Sequence, residues 1–191
     1  LFIVDDAERD AYARAQAWAF IRQDPWGALV RIARRLQAFY GLERRVVMFL
    51  YSQGLFGAWS RPVLFLAAVI WLTPFAIVLL LAVRTWPHVH RGPGWGWWLA
   101  WVTAYTLPHA LILADPRMHL ALVPLLTVAA MWTVAMADHW RAAERRARWK
   151  AWAGRGAQAL LVTSWALDLA GDWERIVILF GPEGHKAHFD Y

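Results

Sequence analysis

Cysteine is absent from this chain of 191 residues, which excludes disulfide staples and thiolate metal sites. Charge is scarce: Asp, Glu, Lys and Arg make up 18% of the residues, against 60% hydrophobic. Soluble domains carry more charge and less apolar content, so an ordinary water-soluble globule is excluded. The small charge that exists is biased, to a net +6. With no nucleic-acid motif beside it, that excess points to an anionic lipid surface and away from nucleic acid. An initial Met is also lacking. Leu1-Phe2-Ile3-Val4 followed by Asp5-Asp6 reads as interior sequence, and the chain is expected to be part of a longer polypeptide or to lack its true start.

What is present is membrane-grade hydrophobe, with a mean hydropathy of +0.32. Three runs, Pro62–Val83, Trp95–Leu113 and His119–Ala137, approach the roughly 20 apolar residues that a bilayer-crossing helix needs. The reading is an all-α integral membrane protein with three transmembrane helices plus interfacial amphipathic helices. Fifteen tryptophans agree with it, since the indole ring favours the headgroup layer. Trp95, Trp97, Trp98 and Trp101 form such a belt at the start of the second run.

Residues 1–60 are expected to hold the amphipathic helices. Ala11, Ala15 and Trp18 share one stripe of a first helix. Asp24-Pro25 then ends it and begins another, with Asp24 as N-cap and Pro25 as first helical residue. In that second helix Leu29, Val30, Ala33, Leu36 and Phe39 or Tyr40 make an apolar face. Arg31, Arg34 and Arg35 lie opposite, a pattern that suits a helix lying flat in the membrane interface or on the surface of a small extramembrane domain. Residues 61–137 form the three-span region. Residues 138–191 form a basic segment, Arg141–Lys150, and a tail. There Ala157–Ala170 is too short and polar to span and is expected to be a cytoplasmic surface helix. A short helix, Asp172–Phe180, and a GPEG turn follow it.

Basic residues gather in the 84–94 loop and in 141–150. The positive-inside rule therefore places both in the cytoplasm, with the first 60 residues and the turn at Asp115–Arg117 outside and the C-terminus inside. A bacterial inner membrane is the expected location.

The turn itself interrupts the apolar sequence with two charges. Pro116 suits the second position of a tight turn and Asp115 the first. Asp115 can accept from free backbone N–H groups, and Arg117 reaches headgroup depth, where a guanidinium binds phosphate in a bidentate way. A well-capped hairpin with a snorkelling arginine satisfies the same residues. His109 is open to two readings, a hydrogen-bonded histidine near the interface or an intramembrane ligand, for example to the magnesium of a chlorin. His88 and His90 lack the further ligands a metal site needs. Pro74, Pro108 and Pro124 are expected to mark helix kinks.

The pattern from His109 to Leu126, H-x-x-x-x-x-D-P-R-x-H-L-x-L-x-P-L-L, resembles the last extracytoplasmic turn of bacterial GT-C glycosyltransferases of the protein-O-mannosyltransferase-like and aminoarabinose-transferase-like kind. AERDAYARAQAWAFIRQDPWGALVRIARRLQAFY is similar to the extracytoplasmic segment before the late spans of that family. Met118 stands where the family has an aromatic, and Ala121 where it has a proline. The early acidic loop that binds metal or activates the acceptor has no counterpart here, and Asp5, Asp6, Glu8 and Asp10 do not match it. The resemblance implies a catalytically incomplete half-site. Arg117, with Arg31, Arg34 and Arg35, would clamp a lipid or polyprenyl phosphate, and there would be no metal and no catalytic residue. Two functions follow: an accessory or structural subunit of a larger membrane complex, for example an energy-transducing one, or the C-terminal half of a polyprenyl-phosphate-sugar glycosyltransferase. The expected partners are membrane lipids and other membrane subunits.

Overall fold

The structure, a computed structural model, describes residues 5–55, 57–88, 93–112, 115–187 and 189. The described chain is all-helical, with no strand among the described residues. Helix α1 (Asp6–Gln23) opens where the Asp5 carboxylate accepts from the Ala7 N–H at 3.0 Å. It packs on α2 and buries no residue. Asp24 serves both neighbours: its N–H closes α1 on the Phe20 carbonyl, and its side chain accepts the Gly27 N–H at 2.8 Å to open α2 (Pro25–Phe39). The Asp-Pro boundary read from the sequence is thus in place.

The face that α2 turns inward matches expectation at Val30, Leu36, Phe39 and Tyr40, which are buried or half-buried, and differs elsewhere. Phe39 is buried and Ala28, Arg31, Ile32, Arg35 and Leu36 are half-buried, whereas Leu29 and Ala33 are exposed. Arg31 reaches back to α1, where its guanidinium lies 4.1 Å from the Phe20 ring centre and 3.5 Å from Asp24. Arg35 donates to the Leu111 carbonyl. Two of the three arginines therefore serve helix contacts, and α2 packs against α5 (Pro93–Leu111).

Helix α3 (Arg44–Ser52) leads through a turn with Gly54 and Gly57 at positive φ, +68° and +66°, where a Cβ would be strained. Helix α4 (Arg61–Thr85) extends into a 3-10 turn at Trp86–His88. A second 3-10 segment, Pro116–Leu122, feeds α6 (Val123–Ala135). Two stretches, Arg61–His88 and Arg117–Ala135, are long and apolar enough to cross a membrane. Helix α5 has 19 residues, but its four tryptophans and its glycines lower its hydropathy, so it does not join them as expected. Pro74 and Pro108 lie inside α4 and α5, while Pro124 sits in the first turn of α6, where its missing N–H breaks no ladder.

Helices α4 and α6 form the central pair. Leu79 and Ala82 meet Leu122, Leu126 and Ala129, and Phe39 of α2 closes the cluster with Trp165 of α8 (Arg148–Gly171). A polar clasp sits inside this contact. The Thr85 hydroxyl shares its one proton between the Ala129 carbonyl at 2.9 Å and the Thr133 hydroxyl at 2.6 Å, and Thr133 donates to the Leu81 carbonyl at 2.8 Å.

The tail departs most from the sequence reading. Helix α7 (Ala137–Arg146) is followed by α8, which begins nine residues earlier than expected and is 24 residues long; α9 (Trp173–Leu179) follows. At 1.5 Å per residue α8 extends about 36 Å. Gly154, near its start, packs beside Pro87 and Arg84 at the end of α4, and the Gln158 amide donates to the Leu80 carbonyl at 3.0 Å. At its far end the Trp165 indole donates to the Tyr40 carbonyl at 2.9 Å, and the Gln37 amide donates to Asp168 at 2.8 Å. Arg44 pairs with Asp172 at 2.6 Å and with Asp168 at 3.6 Å. The Arg61 guanidinium, at the start of α4, donates to the Phe180 carbonyl at 2.9 Å. So the first half of α8 runs antiparallel to the end of α4, and its second half meets the end of α2 and the start of α3. The expected separation of the tail from the N-terminal helices is corrected: both meet at the Arg61 end of the bundle.

Candidate functional site

The Asp115–Arg117 turn lies at this same end and is built as its residue types suggest. Asp115 caps the 3-10 segment, with its Oδ1 accepting from the Arg117 N–H at 3.0 Å and from the Arg117 Nε at 3.1 Å. Its Oδ2 accepts from the Arg45 guanidinium at 3.2 Å. One carboxylate thus holds two guanidiniums, one from each side. Burial pushes the Asp115 carboxyl up, but the hydrogen bonds from Arg117 and the charges of Arg117 and Arg45 outweigh it and hold the group below its ordinary value. Pro116 opens the segment, as the turn reading requires.

Glu43, between α2 and α3, was not singled out in the sequence. It is 8% exposed, and both carboxylate oxygens are buried without a hydrogen-bond partner among the described residues. Burial, and then the Asp115 charge, push its carboxyl up, opposed by Arg117 and Arg45. Glu43, Arg45 and Arg117 line a cavity of about 260 Å³ together with Val46, Phe49 and Leu50. With Glu43 protonated, the two arginines and Asp115 leave one positive charge; with Glu43 ionised, they leave none. The arrangement suits an anion beside an apolar wall, most so when Glu43 is neutral.

His119 fixes this end to the core. It is 1% exposed, donates from Nδ1 to the Phe39 carbonyl at 2.8 Å and stacks on Phe75 at 3.8 Å. One imidazole thereby joins the 3-10 segment to α2 and α4. His109 donates from Nδ1 to the Tyr105 carbonyl at 2.7 Å, between the rings of Tyr105 and Phe39. This bond occupies Nδ1 within α5.

The four arginines of the expected clamp do not converge. Arg117 stands at the turn, with Arg45 in the role sequence reasoning gave to α2. Arg35 caps the end of α5, Arg31 serves the α1–α2 hairpin, and Arg34 is exposed. No group of three His, Cys, Asp or Glu able to hold a metal occurs among the described residues. His88 stacks on Trp140 at 4.4 Å, and His90 lies outside the described residues. Comparison with family models, curated proteins and solved structures finds no match. The chemistry of the site therefore rests on its residues alone: two guanidiniums, a carboxylate shared between them and a buried one.

Proposed function

We propose that this chain is a membrane-embedded helical subunit of bacterial type, an accessory or structural part of a larger membrane assembly built on a GT-C-like plan. One observation carries the reading. The most apolar 18-residue window of Arg61–His88 is only 11% buried within the protein, and Phe65, Leu66, Ile70 and Trp71 of α4 are all more than half exposed. The core helix of a water-soluble protein would hide such a face; lipid removes the cost of showing it. In this reading α4, α5 and α6 cross the bilayer, and α8 lies along α4 through the same layer. The basic ends at Arg84 and Arg141–Lys150 are cytoplasmic, and the Asp115–Arg117 turn is extracytoplasmic with the tail beside it.

The alternative, the C-terminal half of a polyprenyl-phosphate-sugar glycosyltransferase, is favoured by a single feature. Arg45 and Arg117 stand at the mouth of an apolar-walled cavity at the end of the Arg117–Ala135 stretch, as a lipid phosphate with its tail requires. Specific retention of a polyprenyl phosphate, lost in Arg117→Gln, would establish that alternative.

The absence of cysteine makes the topology test clean. Single cysteines replacing Glu183, Gln53 and Trp152 are labelled with an impermeant maleimide in sealed inverted vesicles. Positions 183 and 53 should be protected together and position 152 labelled. Release of the chain into the supernatant at alkaline pH, or labelling of all three sites alike, defeats the membrane reading.

A further inference from the structure

The opposite end of the molecule carries a second charged feature. Helix α7 ends at Arg146 and α8 starts at Arg148, with the chain turning at Ala147. The corner brings Arg141 and Arg145 of α7 together with Arg148 and Arg155 of α8 around a cavity of about 400 Å³, completed by Ala151. Arg141 pairs with Asp138 at 2.7 Å. Arg145, Arg148 and Arg155 form no ion pair among the described residues.

The helix geometry makes this accumulation more costly. A helix start carries partial positive charge from its unpaired N–H groups, and acidic residues or a capping side chain normally answer it. The starts of α1 and α2 are answered so, by Asp5 and Asp24. The start of α8 has no side-chain cap and no acidic residue in its first turn; it carries Arg148 and Lys150 instead. Two independent features, three guanidiniums with no ion pair among the described residues and an uncapped helix start, thus call for negative charge in one place.

We propose that this corner binds the headgroup of a doubly anionic phospholipid, two phosphodiesters joined by a short polyol linker. Guanidinium binds phosphate through paired N–H donors, so two phosphates can engage the arginines of both helices at once. The single negative charge of one phosphodiester would leave two of Arg145, Arg148 and Arg155 uncompensated, because Asp138 answers Arg141 alone. The proposal rests on the membrane reading, because the cavity must sit at headgroup depth.

The test uses the full chain purified in mild detergent. Native mass spectrometry compares retention of diphosphatidylglycerol, phosphatidylglycerol and phosphatidylcholine, with inorganic pyrophosphate as the free counterpart. Diphosphatidylglycerol should be retained about tenfold more strongly than phosphatidylglycerol, in keeping with additional charge-assisted contacts. Arg148→Gln/Arg155→Gln should abolish that preference, while Arg34→Gln, exposed at the other end, should preserve it. Both changes are at exposed side chains, and an unchanged melting curve verifies folding. Equal retention of the two anionic lipids, an unaffected double variant, or pyrophosphate binding as tightly as the lipid would each overturn the proposal. Alkaline extraction of the chain from membranes would overturn the membrane reading, and it is scored without reference to any lipid.

Discussion

The Thr85–Thr133 clasp offers the most direct test of how α4 and α6 hold together. Both hydroxyls are buried, at 1% and 5% exposure, in a contact otherwise made of leucine and alanine. Thr85→Val and Thr133→Val keep the side-chain volume and remove only the oxygen. Thr85→Val deletes the bond to the Ala129 carbonyl and the 2.6 Å contact with Thr133. Thr133→Val deletes the bond to Leu81, which crosses back to α4. Interhelical hydrogen bonds within apolar surroundings contribute about 0.6 kcal/mol on average and up to about 1.7. Each single change should therefore cost roughly 1 kcal/mol. The double change should cost less than the sum, by about 0.5 kcal/mol, because the hydroxyl–hydroxyl contact is lost only once. The assay is reversible unfolding in mixed micelles with increasing sodium dodecyl sulfate, followed by tryptophan fluorescence. Additive losses would show that the hydroxyls act independently. Variants as stable as the parent would show that leucine–alanine packing alone sets this interface, and the reasoning would fail.

Other outcomes follow from the Arg61 end. Asp115→Ala should cost about 1–2 kcal/mol through loss of the cap and of two guanidinium bonds, and Asn should recover the cap share. The folded Asp115 carboxyl lies below its ordinary value, so its stabilisation is complete above the normal carboxylate range and is lost as pH falls through the folded value. Acid titration of the Asn variant should lack that loss. Glu43 has the opposite sign: its penalty is absent below the ordinary carboxylate value and grows as pH rises through the raised one. Glu43→Gln should therefore stabilise by about 1 kcal/mol at neutral pH and make no difference in acid, as read from melting curves at both. Arg44→Met leaves Asp168 to Gln37 and Asp172 to Arg175, each carboxylate about one-fifth exposed, and should cost about 1 kcal/mol, with protease cutting the tail before the rest. At Gly184 an added Cβ would lie 1.9 Å from the Leu179 carbonyl oxygen, so Gly184→Ala should loosen the tail by limited proteolysis and leave α4–α6 intact.

Features whose cause is local were legible in the sequence. Asp24-Pro25 marks its boundary by itself, because cap and fixed φ act within one turn. Asp115 and Arg117 are partners two residues apart, and α4 announces itself by an unbroken apolar run. Features whose cause lies elsewhere in the chain were hidden. Arg31 and Arg35 read as a solvent stripe because their partners, Phe20 and the Leu111 carbonyl, belong to other helices. The start of α8 read only as part of a basic segment because Arg148, Lys150 and Arg155 mask a helix that Gly154 seats against Pro87. Glu43 carried no signal at all, since its burial depends on α2, α3 and the Asp115 turn arriving together.

The Arg44–Asp172 bond joins residues 128 positions apart. A ribosome must therefore deliver Asp172 before Arg44 can find its partner. Until then Arg44 and Gln37 are unmet donors, and the nascent intermediate keeps an open flank at this end. Closing so distant a loop is slow, so the flank between Arg44 and Asp172 is the last part of this end to be sealed.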